Sequence, residues 1–411
     1  MSRSRDIKEN NALNTRRILE GDRTLWIIYA VLIVVSILVV YSSTAKMAYD
    51  ITSHLTTTES LRQQIMYILV MSLPLIFIAH KINYNFYRYI TRIGYWLFIC
   101  LTILTYFIGA TTNGAARWLP IGPIQFQPSE GLKIFTVLML ARCMERRQDV
   151  ITKIKLLPTS LKLRSTEQKR ILRENTIPIL GPIILSCIVI APAHISSAVI
   201  VAMVSVIMLY IGRVPKWEIF KFCSIACIAA VVGFALLSLV GIGRGGVAGD
   251  RLTTWITEWT TNGQKSRVND LSDTERAMIA IHEGGFMGEG AGHSSSRAVI
   301  IHPESDYAFA FFTSEYGFIA AIVLMLLYLW ITFRAIEICR RCPTAFLTFM
   351  TAGLGLLITC QAMVHILVQV NFLPETGQTL PFISRGGSSL MFMSIALGMI
   401  LSVSRIPEKK K

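Results

Sequence analysis

Ten stretches of this chain are apolar for long enough to cross a bilayer, and nothing else in the sequence limits its fold as severely. They run at about 24–43, 62–80, 92–110, 129–144, 176–193, 196–213, 217–242, 308–334, 345–373 and 386–404. In hydrocarbon each backbone N–H and C=O needs a partner within the protein, so runs of this length and apolarity are helices. The expected fold is therefore an all-α polytopic membrane protein. Its mean hydropathy of +0.53 agrees with that class. The first run is too long for a signal-peptide core and follows a basic tail, so it reads as a retained helix.

The net charge of +15 suggests nucleic acid until its distribution is read. With the N-terminus placed in the cytoplasm, 29 of the 40 Lys and Arg residues fall on inner segments and 10 on outer ones, and Lys133 lies inside a helix. That asymmetry is the positive-inside bias, with anionic lipid head groups as the contacts it implies and no nucleic acid. Both termini are then cytoplasmic. The chain divides into an inner tail (1–23), helices 1–7 (24–242), an extracytoplasmic loop (243–307), helices 8–10 (308–404) and a second inner tail (405–411). All eight cysteines fall in helices or on the inner side, so an external disulfide framework is not expected. Cys339 and Cys342 read as reduced juxtamembrane thiols.

The informative polar residues cluster on the outer side. Asp306 closes the long insert and directly precedes an apolar run; a carboxylate there should face water or a cavity. The bland alternative is that Asp306 caps the next helix. Pro128-Ser129-Glu130 reads as a helix start with Ser129 as N-cap, and Lys133 falls on the same face as Glu130, within pairing distance. Trp118 beside Arg117 is by itself an interfacial anchor. The glycine string 284–292 lacks a preceding strand, so it is no nucleotide loop; its glycines let the backbone approach a ligand closely or turn sharply. Arg251–Trp259 reads as a segment lying on the membrane surface, with Trp255 and Trp259 on one face. His282, His293, His302, Glu304 and Asp306 match no zinc spacing, so no protein-only metal site is expected; a divalent cation (Mg2+ or Mn2+) held loosely beside a substrate pyrophosphate is compatible with them. His194 and His365 read as hydrogen-bonded packing residues. The last outer stretch, 371–389, is too rich in Pro, Gly and hydroxyl residues to be a span. Gly386, Gly387, Ser388 and Ser389 open the last helix with N–H groups and hydroxyls that suit an anion.

Together these residues carry a resemblance. Asn113-Gly114-Ala115-x-Arg117-Trp118, Gln127-Pro128-Ser129-Glu130-x-x-Lys133, Gly288-x-Gly290-x-Gly292-x-Ser294, Pro303-Glu304-x-Asp306, Glu315-x-Gly317 and Leu380-Pro381-Phe382-Ile383-Ser384-x-Gly386-Gly387-Ser388-Ser389 stand in the order seen in the SEDS proteins (shape, elongation, division and sporulation). The chain resembles that family over about 24–404, and its division branch more than its elongation branch. The resemblance implies a peptidoglycan glycosyltransferase of the inner membrane at the division septum. Such an enzyme polymerises lipid II alongside a class B penicillin-binding protein and other divisome membrane proteins. Asp306 stands where the family has its essential aspartate; Trp118, Glu130 and Lys133 match cavity positions. Arg385 replaces a usual Tyr, Ser314 the first of two Glu, His365 an Asn, and 191–195 a Gln-Pro-Asp-Leu-Gly stretch.

On this reading Asp306 is the general base for the acceptor hydroxyl. Arg117, Lys133 and Arg385 are candidates to hold pyrophosphate, whose charge develops in the transition state. Ser129, Glu304, Glu315, Gly386, Gly387 and Ser388 complete the expected substrate contacts. Two rivals remain at this stage: a lipid II flippase, and a non-catalytic scaffold recruiting the crosslinking enzyme. A flippase needs a polar route across both leaflets, whereas the polar residues here gather on one side.

Overall fold

The computed structural model describes residues 20–44, 57–112, 115–121, 124–153, 174, 176–240, 253, 255–256, 271–294, 296, 300 and 302–406, with the side chains of 110–117, 120–124 and 229–240 outside that set. Each of the ten apolar windows carries a helix. In chain order these are α1 (Arg23–Ser43), α2 (Thr57–Met66) running through a π turn (Tyr67–Ser72) into α3 (Leu73–Lys81), α4 (Tyr84–Ile108), α5 (Pro128–Glu145), α6 (Ile177–Ile190), α7 (Ile195–Ile211) and α8 (Lys216–Val240). After α9 (Asp273–Glu283), a helix of the outer insert, come α10 (Ala308–Cys339), α11 (Ala345–Gln369) and α12 (Gly387–Ser404). Six helices, α2–α3 counted as one, are long and apolar enough to cross a membrane among the described residues. α5 misses that standard because it carries Glu130, Lys133, Arg142 and Glu145.

Burial orders the bundle. Of the most apolar windows of α11 and α12, 78% and 83% of residues are buried, against 28% for α10, so α11 and α12 form the centre and α10 faces lipid. α11 packs on α10, α5 and α7, and α12 on α3 and α11. At one end, Asp22 caps α1 by accepting from the Leu25 N–H (3.1 Å) and pairs with Arg334 of α10 (2.5 Å). Its own N–H donates to Ser404 Oγ at the end of α12 (2.9 Å). One residue, through its carboxylate and its backbone N–H, thus ties three helices together.

Two features depart from the sequence reading. Residues 110–126, expected as a loop, form a three-stranded antiparallel meander: β1 (Ala110–Thr112), β2 (Ala115–Ile121) and β3 (Ile124–Phe126), with Ala110 opposite Trp118 and Leu119 opposite Phe126. Paired strands satisfy the backbone of a segment too short and too broken by Gly and Pro for a helix.

The second departure concerns α10, whose span was expected to begin at residue 308, directly after Asp306. Gly317 has φ 81° and ψ 175°, which no helix accommodates. Contacts with α11 show the consequence. Thr332 and Tyr328 both meet Thr359, while Ala310 meets Gln369. Those levels lie about 15 Å apart along α11, but Ala310 and Thr332 would lie about 33 Å apart on a straight helix. The break absorbs the difference: 308–316 turns back on the span. Lipid-facing side chains accordingly start at Phe318 and Ile319, whereas every residue from Ala308 to Ser314 is buried. The span is 318–339, about 33 Å long, and Asp306 lies at the inner end of a re-entrant half-helix instead of at the mouth of a spanning one.

A broken helix leaves backbone groups without partners, a costly state at membrane depth. Without the break, Phe318 N–H and Ile319 N–H would bond to the carbonyls of Ser314 and Glu315. The glycine string supplies all four replacements: Phe318 N donates to Gly285 O (2.9 Å) and Ile319 N to Phe286 O (3.4 Å), while Glu289 N donates to Ser314 O and Gly290 N to Glu315 O (both 3.0 Å). Such proximity requires glycine on both sides. A Cβ on Gly288 would lie 2.2 Å from Glu315 O, and one on Gly317 2.4 Å from Phe286 O. The close approach expected toward a ligand is here made to the chain's own backbone at 314–317 instead.

Candidate active site

Asp306 is part-exposed and sits between two hydrogen-bonded loops. Ser384 Oγ donates to Ser305 O (2.7 Å), and Arg385 N donates to Glu304 O (2.8 Å), stitching 302–307 to 378–385. A Cβ on Gly377, a left-handed glycine at φ 59°, would lie 3.7 Å from Asp306 Oδ2, so that glycine borders the carboxylate. The capping alternative does not describe this end of α10. The N-cap is Tyr307, which makes no side-chain cap, and Ala310 N donates instead to Gln369 Oε1 (2.5 Å), with Gln369 Nε2 donating to Asp306 O (3.1 Å).

The loop after α11 dips far into the bundle. Tyr328, eleven residues past Gly317 and so about 16 Å down the span, donates its hydroxyl to Pro381 O (2.5 Å). Ser36 Oγ donates to Ile383 O (2.9 Å). Phe382 between them holds φ 66°, a rare conformation for an aromatic residue, with its ring edge-on to Tyr29 at 5.6 Å. Side chains of neighbouring helices thus satisfy irregular backbone at depth, as such a loop requires.

Around Asp306 the electrostatics are set by His302, Glu304, Tyr307, Glu375 and Arg385. Burial alone raises the Glu304 carboxyl most, but the His302 contact, backbone hydrogen bonding and the His302 and Arg385 charges together hold it below the usual carboxylate range. Glu304 raises the exposed His302, 3.8 Å away, against the effect of burial, and the Asp306 and Asp273 charges add to it. Glu304 Oε2 is buried without a hydrogen-bond partner among the described residues, an open acceptor beside the aspartate. Burial and then the Glu375 charge push the Tyr307 phenol well up, so it stays protonated and donates to Glu375 Oε1 (2.8 Å), which also accepts from Thr274 of α9 (3.0 Å).

The predicted Glu130–Lys133 pair is present at 2.8 Å, with side chains 4% and 0% exposed. Lys133 Nζ also donates to Gln361 Oε1 (2.7 Å), whose amide donates to Thr379 O (3.2 Å). Lys133 therefore has no surface to offer pyrophosphate; it braces α5 against α11 and the re-entrant loop. The N-cap of α5 is Gln127, not Ser129, because Pro128 takes the first helical position; Ser129 Oγ accepts from Gln127 Nε2 (3.2 Å). Ser388 is likewise committed, accepting from Gln127 N (3.0 Å) and donating to Gln125 O (2.5 Å), so its hydroxyl faces β3 and the start of α5 instead of an outer anion. Gly386 is the N-cap of α12 and Gly387 its first residue. Arg385 donates to Gln63 Oε1 (2.6 Å) and Ser60 Oγ (3.3 Å) of α2. Glu315 is buried in the glycine string, accepting from Gly292 N (2.9 Å) and from Ser42 Oγ. Trp118 is half-buried on β2; Arg117 is on the same strand, with its side chain outside the described set. Trp255 donates to Asn371 O (3.2 Å), while Trp259 lies outside the described residues.

Sequence reasoning passed over Gln369, Gln361 and Gln378. A signal existed: Gln361, His365 and Gln369 recur every fourth residue of an otherwise apolar helix, one polar stripe facing inward. No group of three or more His, Cys, Asp or Glu able to hold a metal occurs among the described residues.

An all-α membrane bundle with a re-entrant half-helix, a re-entrant loop and a part-exposed carboxylate between them defines the class: a polytopic protein with a polar site in one half of the membrane. Residues 22–409 match the FtsW/RodA/SpoVE family, described as cell cycle proteins, and the chain belongs to that family. It is 29% identical over 347 residues to the probable peptidoglycan glycosyltransferase FtsW of Coxiella burnetii, covering 82% of this chain and 84% of the relative. It is 26% identical over 310 residues to the stage V sporulation protein E of Bacillus subtilis (75% and 76%). The fold matches a chain of a peptidoglycan synthase complex that coordinates polymerization and crosslinking, with TM-score 0.65 and 19% identity over 94% of this chain and 98% of that one. It also matches the rod shape determining protein RodA of Thermus thermophilus, with TM-score 0.57 and 20% identity over 94% and 97%.

Proposed function

We propose that this protein is a peptidoglycan glycosyltransferase that polymerises lipid II in the outer half of the membrane, with Asp306 as general base. The observation that carries the reading is the position of Asp306. The fold turns a half-helix back into the bundle, and the carboxylate stands at its inner end, outside the helical hydrogen bonding and bordered by glycine. An acceptor sugar hydroxyl brought there gives its proton to Asp306 as its oxygen attacks the anomeric carbon of the donor; the bond to pyrophosphate breaks, and the lipid pyrophosphate leaves with the electron pair. Glu304, buried beside His302 and with its backbone carbonyl held by Arg385 N, fixes the loop and the negative charge next to Asp306. Arg385 and the first turn of α12 at Gly386 and Gly387 supply positive potential for the leaving group. Lys133 and Glu315 act from behind, holding the two loops. No step is routed through a divalent cation: any Mg2+ or Mn2+ would enter with the pyrophosphate.

The names of the relatives and the synthase complex of similar fold support this reading, as does the gathering of polar residues in one half of the bundle. Both termini then face the cytoplasm, and a class B penicillin-binding protein is the expected partner at the septum. The test is purified protein incubated with lipid II, with and without that partner, and glycan products resolved by size. Partner-dependent glycan strands are expected. Lipid II translocation across vesicles without polymer would favour the flippase reading instead.

A further inference from the structure

Gln369 sits where α10 would otherwise close its first hydrogen bond. In a regular helix Ala310 N–H donates to the carbonyl four residues back, that of Asp306. Here the Gln369 side chain is inserted between them: its Oε1 accepts from Ala310 N (2.5 Å) and its Nε2 donates to Asp306 O (3.1 Å). The amide cannot flip without facing two donors or two acceptors at once. His365 holds it from behind. The backbone carbonyl of Gln378 can only accept, so His365 Nδ1 (2.7 Å away) carries the proton, and His365 Nε2 is left to accept the second Nε2 hydrogen of Gln369. Gln378 in turn is fixed by its amide nitrogen, which contacts His194 Nδ1 (2.9 Å), Ser196 Oγ (3.0 Å) and Ser197 Oγ (2.8 Å). His365, Gln369 and Gln378 are all buried.

We infer that Gln369, locked by His365, is a positioning residue that keeps Asp306 outside the helix and so aims its carboxylate. The inference rests on the reading of Asp306 as the base. Its physical content is that the helix has an alternative. Without the amide, Ala310 N–H and Asp306 C=O can bond to each other, extending α10 by one residue at its start and swinging the Asp306 side chain around the helix axis. That change leaves one buried acceptor, His365 Nε2, without its donor, while the two backbone groups satisfy each other, so the protein stays folded while the reacting geometry is lost. Misplacing a reacting group by about 1 Å can cost on the order of a hundredfold in rate.

The test is Gln369→Leu and Gln369→Glu in the full-length protein with its partner, measured beside Asp306→Asn. The Gln369→Glu variant keeps the shape and the acceptor for Ala310 but loses the donor to Asp306. The expected result is a fall in kcat of about ten- to a hundredfold in both Gln369 variants with KM for lipid II unchanged, whereas the melting temperature falls modestly in Gln369→Leu, which strands His365 Nε2, and further in Gln369→Glu, which also buries a carboxylate; kcat is read well below both transitions. His365→Phe, which removes both ring contacts, should shift kcat in the same direction and serves if Gln369→Leu does not fold. Wild-type kcat in the folded Gln369 variants, with Asp306→Asn inactive, would overturn the positioning role and leave the base in place. Loss of melting temperature in step with kcat would make Gln369 merely structural. Full activity of Asp306→Asn would remove both claims together.

Discussion

Lys133 is fully buried with one carboxylate partner and one amide partner, and that geometry sets the size of a perturbation. Removing its charge alone, as in Lys133→Met, leaves Glu130 in the bundle interior without its Lys133 partner, and Glu130 Oε2 already lacks a hydrogen-bond partner among the described residues. Breaking a buried pair from one side costs about 3–5 kcal/mol; for a chain of this size that is a fall in melting temperature of roughly 3–6 °C. Glu130→Gln should cost a similar amount by stranding the ammonium. The double variant, Glu130→Gln combined with Lys133→Met, removes both charges and should recover most of the loss, leaving a coupling energy of about 2 kcal/mol or more. The assay is thermal unfolding in detergent, followed with a thiol-reactive dye, since all eight cysteines are free. Because Gln361 links Lys133 to Thr379 of the re-entrant loop, polymerisation should fall further than stability. Single variants that each cost under about 1 kcal/mol and add without coupling would show that the pair is solvated in the membrane, and the bracing argument would fail.

Gly317→Ala and Gly288→Ala each force a side chain into positive φ and into opposing backbone. Each should cost about 1–3 kcal/mol and undock the glycine string, read as faster proteolysis within 284–292; unchanged cleavage would contradict the reciprocal pairing. A pH dependence follows from His302 and Glu304. The raised His302 contributes below its ordinary pKa and loses that contribution as pH rises through its folded value; the lowered Glu304 contributes above its ordinary pKa and loses it as pH falls through its folded value. The pair is therefore strongest in mildly acid solution, and melting temperature should decline slightly from about pH 6 to about pH 8.5. The effect is under about 1 kcal/mol because His302 is exposed, and it should shrink in Glu304→Gln to what the Asp306 and Asp273 charges alone supply. For topology, a cysteine at position 266 (Ser266→Cys) should label from outside and one at 165 (Ser165→Cys) should not; the reverse would invert the site.

The helices were legible because hydropathy over about 20 residues reports burial in lipid, and each of the ten apolar windows carries one. The Glu130–Lys133 pair was legible because spacing of three places both groups on one face. The non-helical nature of 371–386 was legible from its Pro and Gly content. Hydropathy does not see a reversal, however: 308–330 is apolar enough to read as one span, and only the short polar run Thr313-Ser314-Glu315 followed by Gly317 marks where the half-helix ends and the span begins. The cap expected at Ser129 and the capping alternative weighed for Asp306 both fail for a related reason. Local rules assign a cap from neighbours in sequence, whereas Pro128 moved one helix start and a side chain 59 residues away, Gln369, took over the other. The commitments of Ser388 to Gln125 and of Arg385 to Gln63 are also tertiary, and no local pattern announces them.

The central claim is that the Asp306 carboxylate removes the acceptor proton. Asp306→Asn keeps the size of the side chain and leaves the backbone carbonyl that Gln369 holds, so folding and partner binding should be preserved. The decisive measurement is the polymerisation rate of purified lipid II by this variant in complex with its partner, alongside lipid II binding. The account predicts a rate lower by roughly a hundredfold or more with binding intact, because the base acts on the transition state more than on the bound substrate. A folded Asp306→Asn protein that polymerises lipid II at the wild-type rate would contradict it.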